Sequence, residues 1–298
     1  MARIGMVGCG AMGAPMARNL LKAGHTLKVY DKAEAVVESL ISDGVQPATQ
    51  DSVARDVDAV ITVLRTGEVV TAVLTGDSGL FGQAATDTLF IDSSTIDVNT
   101  ARMLSTQAVA AGMSMVDAPV SGGVPGAEAG TLTFMVGGDE ADFIRAEPIL
   151  QTMGRSIVHV GPAGAGQATK ICNNMILGVS TIAVAEAFRL ADKLGLKAET
   201  LYEIVSRSSG DCWVLNNNHP VPGLVPTSTA NCDYRPGFRS TLMLKDLRLS
   251  QDAARHFGAY TPLGAKAARL YDEFVQAGNG ELDFSAIIKK IQSEEREQ

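Results

Sequence analysis

IGMVGCGAMGAPMARNLL, residues 4–21, places an apolar run, a glycine cluster and a helical pattern in immediate succession. The cluster Gly8-Cys9-Gly10-Ala11-Met12-Gly13 has the spacing G-x-G-x-x-G, with a strand pattern before it and a helix pattern after it. In that context each glycine has a separate use. Gly8 permits a tight turn, Gly10 lets the backbone approach a pyrophosphate, and Gly13 lets the helix pack against the strand. The free N–H groups at the helix start face the phosphates, and the helix dipole favours their charge. The stretch reads as a dinucleotide site with Gly8, Gly10, Ala11, Met12 and Gly13 as its contacts. A tightly packed turn that binds nothing is the plainer alternative.

Outward from this stretch, Ala23-Gly24 is a helix stop and Thr26 to Tyr30 reads as a second strand, ending at Asp31. An acid at that place hydrogen-bonds the adenosine ribose 2′-OH and repels a 2′-phosphate, which favours NAD over NADP. Asp31 could equally cap the helix that begins near Glu34. Strand and helix patterns then alternate. Apolar strands are expected at 59–64, 89–91, 115–116, 132–136 and 157–160, with helices at 68–74, 97–111 and 139–153. Such repeats call for a parallel, doubly wound sheet, with ligands at the carboxyl ends of its strands. Leu64, Arg65, Thr95 and Ser121 fall at or just after such ends. The glycine-rich turn 161–166 reads as a boundary, giving a dinucleotide-binding domain over 1–162 and a second domain over 163–298. The second domain shows helices only, the first running from Gln167 to about Leu194. Ser208 to Gly237, rich in Pro, Gly and Asn, reads as a long functional loop.

Composition narrows the class. Hydrophobic residues make up 46% and charged residues 19%, enough for a buried core and too few charges for a disordered chain. A net charge of −8 does not suit nucleic acid or an anionic membrane. Cys9, Cys172, Cys212 and Cys232 form no C-x-x-C pair and have no histidines at zinc spacing, so reduced thiols and no metal site are expected. No signal-peptide pattern precedes the first strand, and a cytoplasmic enzyme is the expectation. The apolar stretch 171–190 carries Asn173, Asn174, Glu186 and Arg189, which argues for a buried amphipathic helix over a membrane span. Its apolar residues on more than one face suggest subunit packing in a homodimer or homotetramer.

Three constellations could carry chemistry. Asp117-Ala118-Pro119-Val120-Ser121-Gly122-Gly123 combines a hydroxyl with exposed N–H groups, a set that suits a small carboxylate, although a plain turn has the same composition. Lys170 and Asn174 share one helix face; a partly desolvated lysine there could exchange a proton near neutral pH. On spacing alone a solvated lysine at a helix start is the default. Lys245-Asp246-Leu247 sits on what reads as an ordinary amphipathic helix. His25, His159, His219 and His256 are scattered, and neither His25, after a helix stop, nor His159, in a strand, lies in a motif; all read as structural, which leaves Lys170 as the leading general base.

Taken together, these stretches resemble the β-hydroxyacid dehydrogenase family over essentially the whole chain. Residues 4–20 resemble its cofactor signature, 117–123 its D-A-P-V-S-G-G substrate signature, 161–174 its catalytic motif and 245–247 its K-D-L motif. The resemblance implies an α/β, Rossmann-type doubly wound sheet followed by an all-α C-terminal domain. It implies Lys170 as acid/base, Asn174 as a substrate contact, and Ser121, Gly122 and Gly123 on the substrate carboxylate. Lys245 would lie near the nicotinamide, Asp246 would support the active site, and Leu64, Arg65 and Thr95 would line the cofactor. The family usually has proline at position 65, where this chain has Arg65. Residues 208–213 and 219–223 are similar to the S-S-G-x-C-W and N-P-V-P-G stretches of 3-hydroxyisobutyrate dehydrogenases. Trp213 would then wall an apolar pocket suited to a methyl-bearing substrate. The implied reaction is NAD-dependent oxidation of 3-hydroxyisobutyrate to methylmalonate semialdehyde, as in valine catabolism. Related enzymes acting on serine, glycerate or tartronate semialdehyde are the alternative within the class. A non-catalytic NAD-binding interaction module is the alternative outside it.

Overall fold

The computed structural model describes residues 1–76 and 78–294. The chain divides into two compact units, Met1–Lys170 and Ile171–Gln298.

In the first unit strands and helices mostly alternate in chain order. They are β1 (Arg3–Val7), α1 (Gly13–Lys22), β2 (Thr26–Tyr30), α2 (Glu34–Ile41), β3 (Gln46–Pro47), β4 (Ala59–Thr62), α3 (Gly67–Thr75), β5 (Leu89–Asp92), α4 (Val98–Ala110) and β6 (Ser114–Asp117). There follow β7 (Val120–Ser121), α5 (Gly123–Ala129), β8 (Leu132–Gly137), α6 (Glu140–Leu150), β9 (Gly154–Gly161) and the start of α7 (Ala165–Lys193). The first six strands lie parallel in the order β3-β2-β1-β4-β5-β6. This is the doubly wound order in which ligands sit beyond the carboxyl ends of the strands. The central strands are apolar throughout because both faces are covered. Ile4, Met6, Ile61 and Ile91 pack on one side, and Val7, Val60, Phe90 and Met115 on the other.

The last part of the sheet departs from a purely parallel pattern. β8 runs antiparallel to both β6 and β7, which share its one edge, and parallel to β9 on its other edge. The short helix α5 is the only element between β7 and β8. That connection is too short for a crossover to a parallel strand. Helix stops fall where glycine is needed: Gly24, at φ +87°, donates to the Leu21 carbonyl behind α1.

The second unit continues α7 and adds α8 (Ala198–Val205), α9 (Trp213–Asn217), α10 (Ser240–Phe257), α11 (Pro262–Phe274) and α12 (Ile288–Glu294). α7 is long and apolar enough to cross a membrane. Its Ile182 and Ala185 pack instead with Met243, Leu247 and Tyr271, and its Val184 and Phe188 with Val214 and Leu215.

The stretch expected as a long loop is pinned from within. Asp283 is fully buried, and its Oδ1 accepts from Asn218 Nδ2 at 2.9 Å and the Ser285 hydroxyl at 2.8 Å. Its Oδ2 accepts from the N–H groups of Gly237 and Phe238, both at 3.0 Å. The carboxylate thus replaces secondary structure as the partner of loop backbone.

Within the same stretch His219 is fully buried, in edge contact with Phe188 and Tyr202. Its Nδ1 accepts from the Val221 N–H at 3.0 Å, which makes the ring neutral. Burial lowers its pKa from 6.5 to about 4. A base whose folded pKa is depressed contributes stability above its unfolded pKa and loses it as pH falls towards the folded one. Urea unfolding is therefore expected to show a loss of order 1–3 kcal/mol between about pH 6.5 and 4 that is absent in His219→Gln. Equal pH slopes for the two proteins would contradict this assignment.

Candidate active site

The glycine loop has the geometry its spacing requires. Gly8 sits at φ +90°, and a Cβ there would meet the Val63 carbonyl oxygen at 2.2 Å. A Cβ on Gly13 would meet the Gly8 carbonyl oxygen at 2.0 Å. A Cβ on Gly10 would meet nothing within 4 Å among the described residues, so this glycine alone borders open space. The N-cap residue of α1, Met12, supplies no side-chain hydrogen bond, which leaves the helix end available to an anion. These features fit a dinucleotide diphosphate. Asp31 is held against the loop: its Oδ2 accepts from the Cys9 N–H at 2.8 Å and its Oδ1 from the Ala33 N–H at 2.9 Å. Cys9 itself is buried, and burial beside Asp31 pushes its thiol up to about 12, so it is not a nucleophile.

The carboxyl ends of the central strands are in register, with Val7 beside Tyr30 and Thr62, Thr62 beside Asp92, and Asp92 beside Asp117. That alignment brings the glycine loop, Asp31, Leu64, Arg65 and Thr95 to one edge of the sheet. The Leu64 N–H donates to the Ser94 hydroxyl at 2.8 Å, tying the loops after β4 and β5. Arg65 is exposed and Thr95 half-buried. Ser121 lies in β7 opposite Thr133, and Gly122 and Gly123 follow at φ +131° and +61°, conformations that suit glycine. A Cβ on Gly122 would press on Leu132 at 3.1 Å.

Lys170 is the last residue of the first unit, two turns into α7, and is only 8% exposed. The start of that helix is capped from β6. Asp117 Oδ1 accepts from the Gly164 N–H at 2.7 Å and its Oδ2 from the Gln167 N–H at 2.8 Å. Both bonds favour the carboxylate, but burial outweighs them, and together with nearby Asp92 raises its pKa to about 7. Neither Asp117 nor Gln167 stood out as a site residue in the sequence. Asp117 could have been found as the one acid in the substrate signature, whereas nothing local marks Gln167.

In the second unit Asn174, Asp246 and Lys245 come together. Asn174 Nδ2 donates to Asp246 Oδ2 at 2.5 Å, and the Lys245 ammonium lies 3.3 Å from Asp246 Oδ1. Asn174 Oδ1 accepts from Asn173 Nδ2 at 2.9 Å, which fixes the amide's orientation. Asn174 and Asp246 are both buried, so this charge-assisted set is shielded from water. Trp213 opens α9 with 56% of its surface exposed. Among the described residues no group of histidine, cysteine and carboxylate side chains is placed to hold a metal.

Residues 3–161 match the model for the NAD-binding domain of 6-phosphogluconate dehydrogenase. Residues 164–291 match that for the NAD-binding region of NADP-dependent 3-hydroxyisobutyrate dehydrogenase. A probable 3-hydroxyisobutyrate dehydrogenase of Mycobacterium tuberculosis is 49% identical, the alignment covering 98% of this chain and 99% of that one. An NAD-dependent L-serine dehydrogenase of Pseudomonas aeruginosa is 44% identical over 97% of both chains. The solved structure of the M. tuberculosis 3-hydroxyisobutyrate dehydrogenase with L-serine superposes with a TM-score of 0.93 at 49% identity, covering 98% of this chain and 99% of that one.

Proposed function

The chain belongs to the NAD-dependent 3-hydroxyisobutyrate dehydrogenase family, and from that premise we propose that its own substrate is 3-hydroxyisobutyrate, oxidised reversibly to methylmalonate semialdehyde. The observation that carries this reading is Lys170: a buried amine on a helix whose first turn is capped by a carboxylate from the sheet. A nicotinamide dinucleotide held by the glycine loop and Asp31 would supply the hydride acceptor for the substrate's carbinol carbon. Lys170, neutral in the oxidising direction, takes the hydroxyl proton. Ser121 and the N–H groups of Gly122 and Gly123 hold the substrate carboxylate, and Asn174, oriented by Asp246, contacts the substrate. Asp31 takes the ribose hydroxyls and disfavours a 2′-phosphate. Leu64, Arg65, Thr95 and Lys245 line the cofactor, and Trp213 supplies apolar surface for the substrate's methyl group. In this reading residues 1–162 serve the cofactor and 163–298 the substrate and subunit packing, in a cytoplasmic enzyme of valine catabolism.

A second reading, L-serine as substrate, is favoured by one finding: relatives at 44% and 49% identity carry L-serine in their name or in their solved structure. Initial rates with 3-hydroxyisobutyrate, L-serine and glycerate, each with NAD and NADP, separate the readings. A higher kcat/KM for 3-hydroxyisobutyrate with NAD is expected. A higher value for L-serine would move the substrate assignment and leave the Lys170 chemistry in place. Exposed Ile176 and Leu190 on α7, with Leu194 beyond it, support a homodimer or homotetramer. Light scattering giving a monomer mass would exclude that assembly.

A further inference from the structure

Gln167 is the best-connected buried side chain near Lys170, and the reaction scheme gives it no task. It is fully buried. Its Oε1 accepts from the Ile96 N–H at 3.0 Å, and its Nε2 donates to the Ser94 carbonyl at 2.8 Å. The two bonded backbone groups flank Thr95, so the amide pairs with this loop as a neighbouring strand would. The bonding continues behind the loop. The Ser94 N–H donates to Asp92 Oδ1 at 3.1 Å, which also accepts from the Thr62 hydroxyl at 2.7 Å. On the other side the Gln167 N–H is held by Asp117. A continuous buried network thus runs from the ends of β4, β5 and β6 to a point three residues before Lys170. Position 167 and position 170 share a helix face.

We propose that Gln167 is a positioning residue that locks the loop carrying Thr95 to the turn of α7 carrying Lys170. This rests on the reading of Lys170 as the acid/base. Only a neutral amide offers an acceptor and a donor side by side at every pH. An apolar residue of the same length would leave the Ile96 N–H and the Ser94 carbonyl without this partner. A glutamate would supply both bonds when protonated and would set a negative oxygen against the Ser94 carbonyl when ionised.

The test uses Gln167→Met and Gln167→Glu in the full chain. In Gln167→Met, kcat is expected to fall about tenfold to hundredfold, the effect of a reacting group misplaced by roughly an ångström. Both KM values should stay within about threefold, because the lost quantity is alignment and not binding. In Gln167→Glu, the ratio of its kcat to that of the wild type should rise as pH falls. The charged and titratable groups facing the position are Asp92, Asp117, Lys170 and Arg102, the last packed against Gly164. Their titrations occur in both proteins, so the ratio reports the new carboxyl. Burial beside two acids raises its pKa.

An unchanged kcat in Gln167→Met would overturn the proposal. So would a loss carried by KM, or a flat ratio in Gln167→Glu. Failure of both variants to fold would make the network a requirement of the fold and would equally overturn it. Lys170→Ala, assayed alongside, separates the two claims. An inactive Lys170→Ala with a normal Gln167→Met sinks only the coupling. An active Lys170→Ala sinks the acid/base reading and the coupling with it.

Discussion

In Lys170→Ala, kcat for 3-hydroxyisobutyrate oxidation is expected to fall by about 10²–10⁴-fold near neutral pH, the range for loss of a positioned general acid–base. KM for NAD should change little, because in the proposed reading the glycine loop and Asp31, not Lys170, hold the cofactor. The expected size follows from place and chemistry. Lys170 is 8% exposed on a helix held by Asp117 and Gln167, so water has no ready route to replace its amine. Among the histidines, His219 is buried within the second unit, and His159 is taken up by the Gly138 carbonyl and a stack on Phe143. Partial restoration by a small primary amine added to Lys170→Ala would report the same role. Turnover within about tenfold of the wild type would show that the proton goes elsewhere.

The second large effect separates two glycines of the same loop. Gly10→Val is expected to leave thermal unfolding of the free protein nearly unchanged and to weaken NAD binding by more than about tenfold, or 1.4 kcal/mol. A Cβ at Gly10 would meet nothing within 4 Å among the described residues, and in the proposed reading a larger side chain there takes space meant for the diphosphate. Gly13→Val is expected to do the reverse of the first part, destabilising the protein itself. Its Cβ would stand 2.0 Å from the Gly8 carbonyl oxygen, an overlap that forces the α1–β1 packing apart. Overpacking of that kind costs about 1–3 kcal/mol or more. Calorimetric NAD titration and differential scanning fluorimetry read the two effects independently. Undiminished NAD affinity in Gly10→Val would place the diphosphate away from this loop.

The parts of the molecule that were legible in the sequence are the locally determined ones. The glycine loop, the stop at Gly24 and the helix start at 97 each depend on a few adjacent residues. The Asp97 side chain, for example, accepts from the Thr100 N–H at 2.8 Å. The parallel direction of β1, β2, β4, β5 and β6 follows from the helices between them. What lay beyond reach depends on residues far apart in the chain. The antiparallel β8 is decided by the short β7–α5 connection and by partners on two strands. The ordering of the stretch around Asn218 depends on Asp283, 65 residues away. Gln167 matters only because Ser94 and Ile96 meet it across more than 70 residues. Asp246 read as part of a charged helix face, yet it is buried and bonded to Asn174. Polar residues buried by such distant contacts leave no periodic trace.

The proposed reaction turns most directly on where the hydride comes from. Oxidation of 3-hydroxyisobutyrate deuterated at its carbinol carbon, followed by mass spectrometry of the reduced cofactor, measures that transfer. One deuterium in the NADH, formed by the wild type and strongly diminished in Lys170→Ala, is the expected result. Reduced cofactor without deuterium, or no reduction of NAD by this substrate, would contradict it.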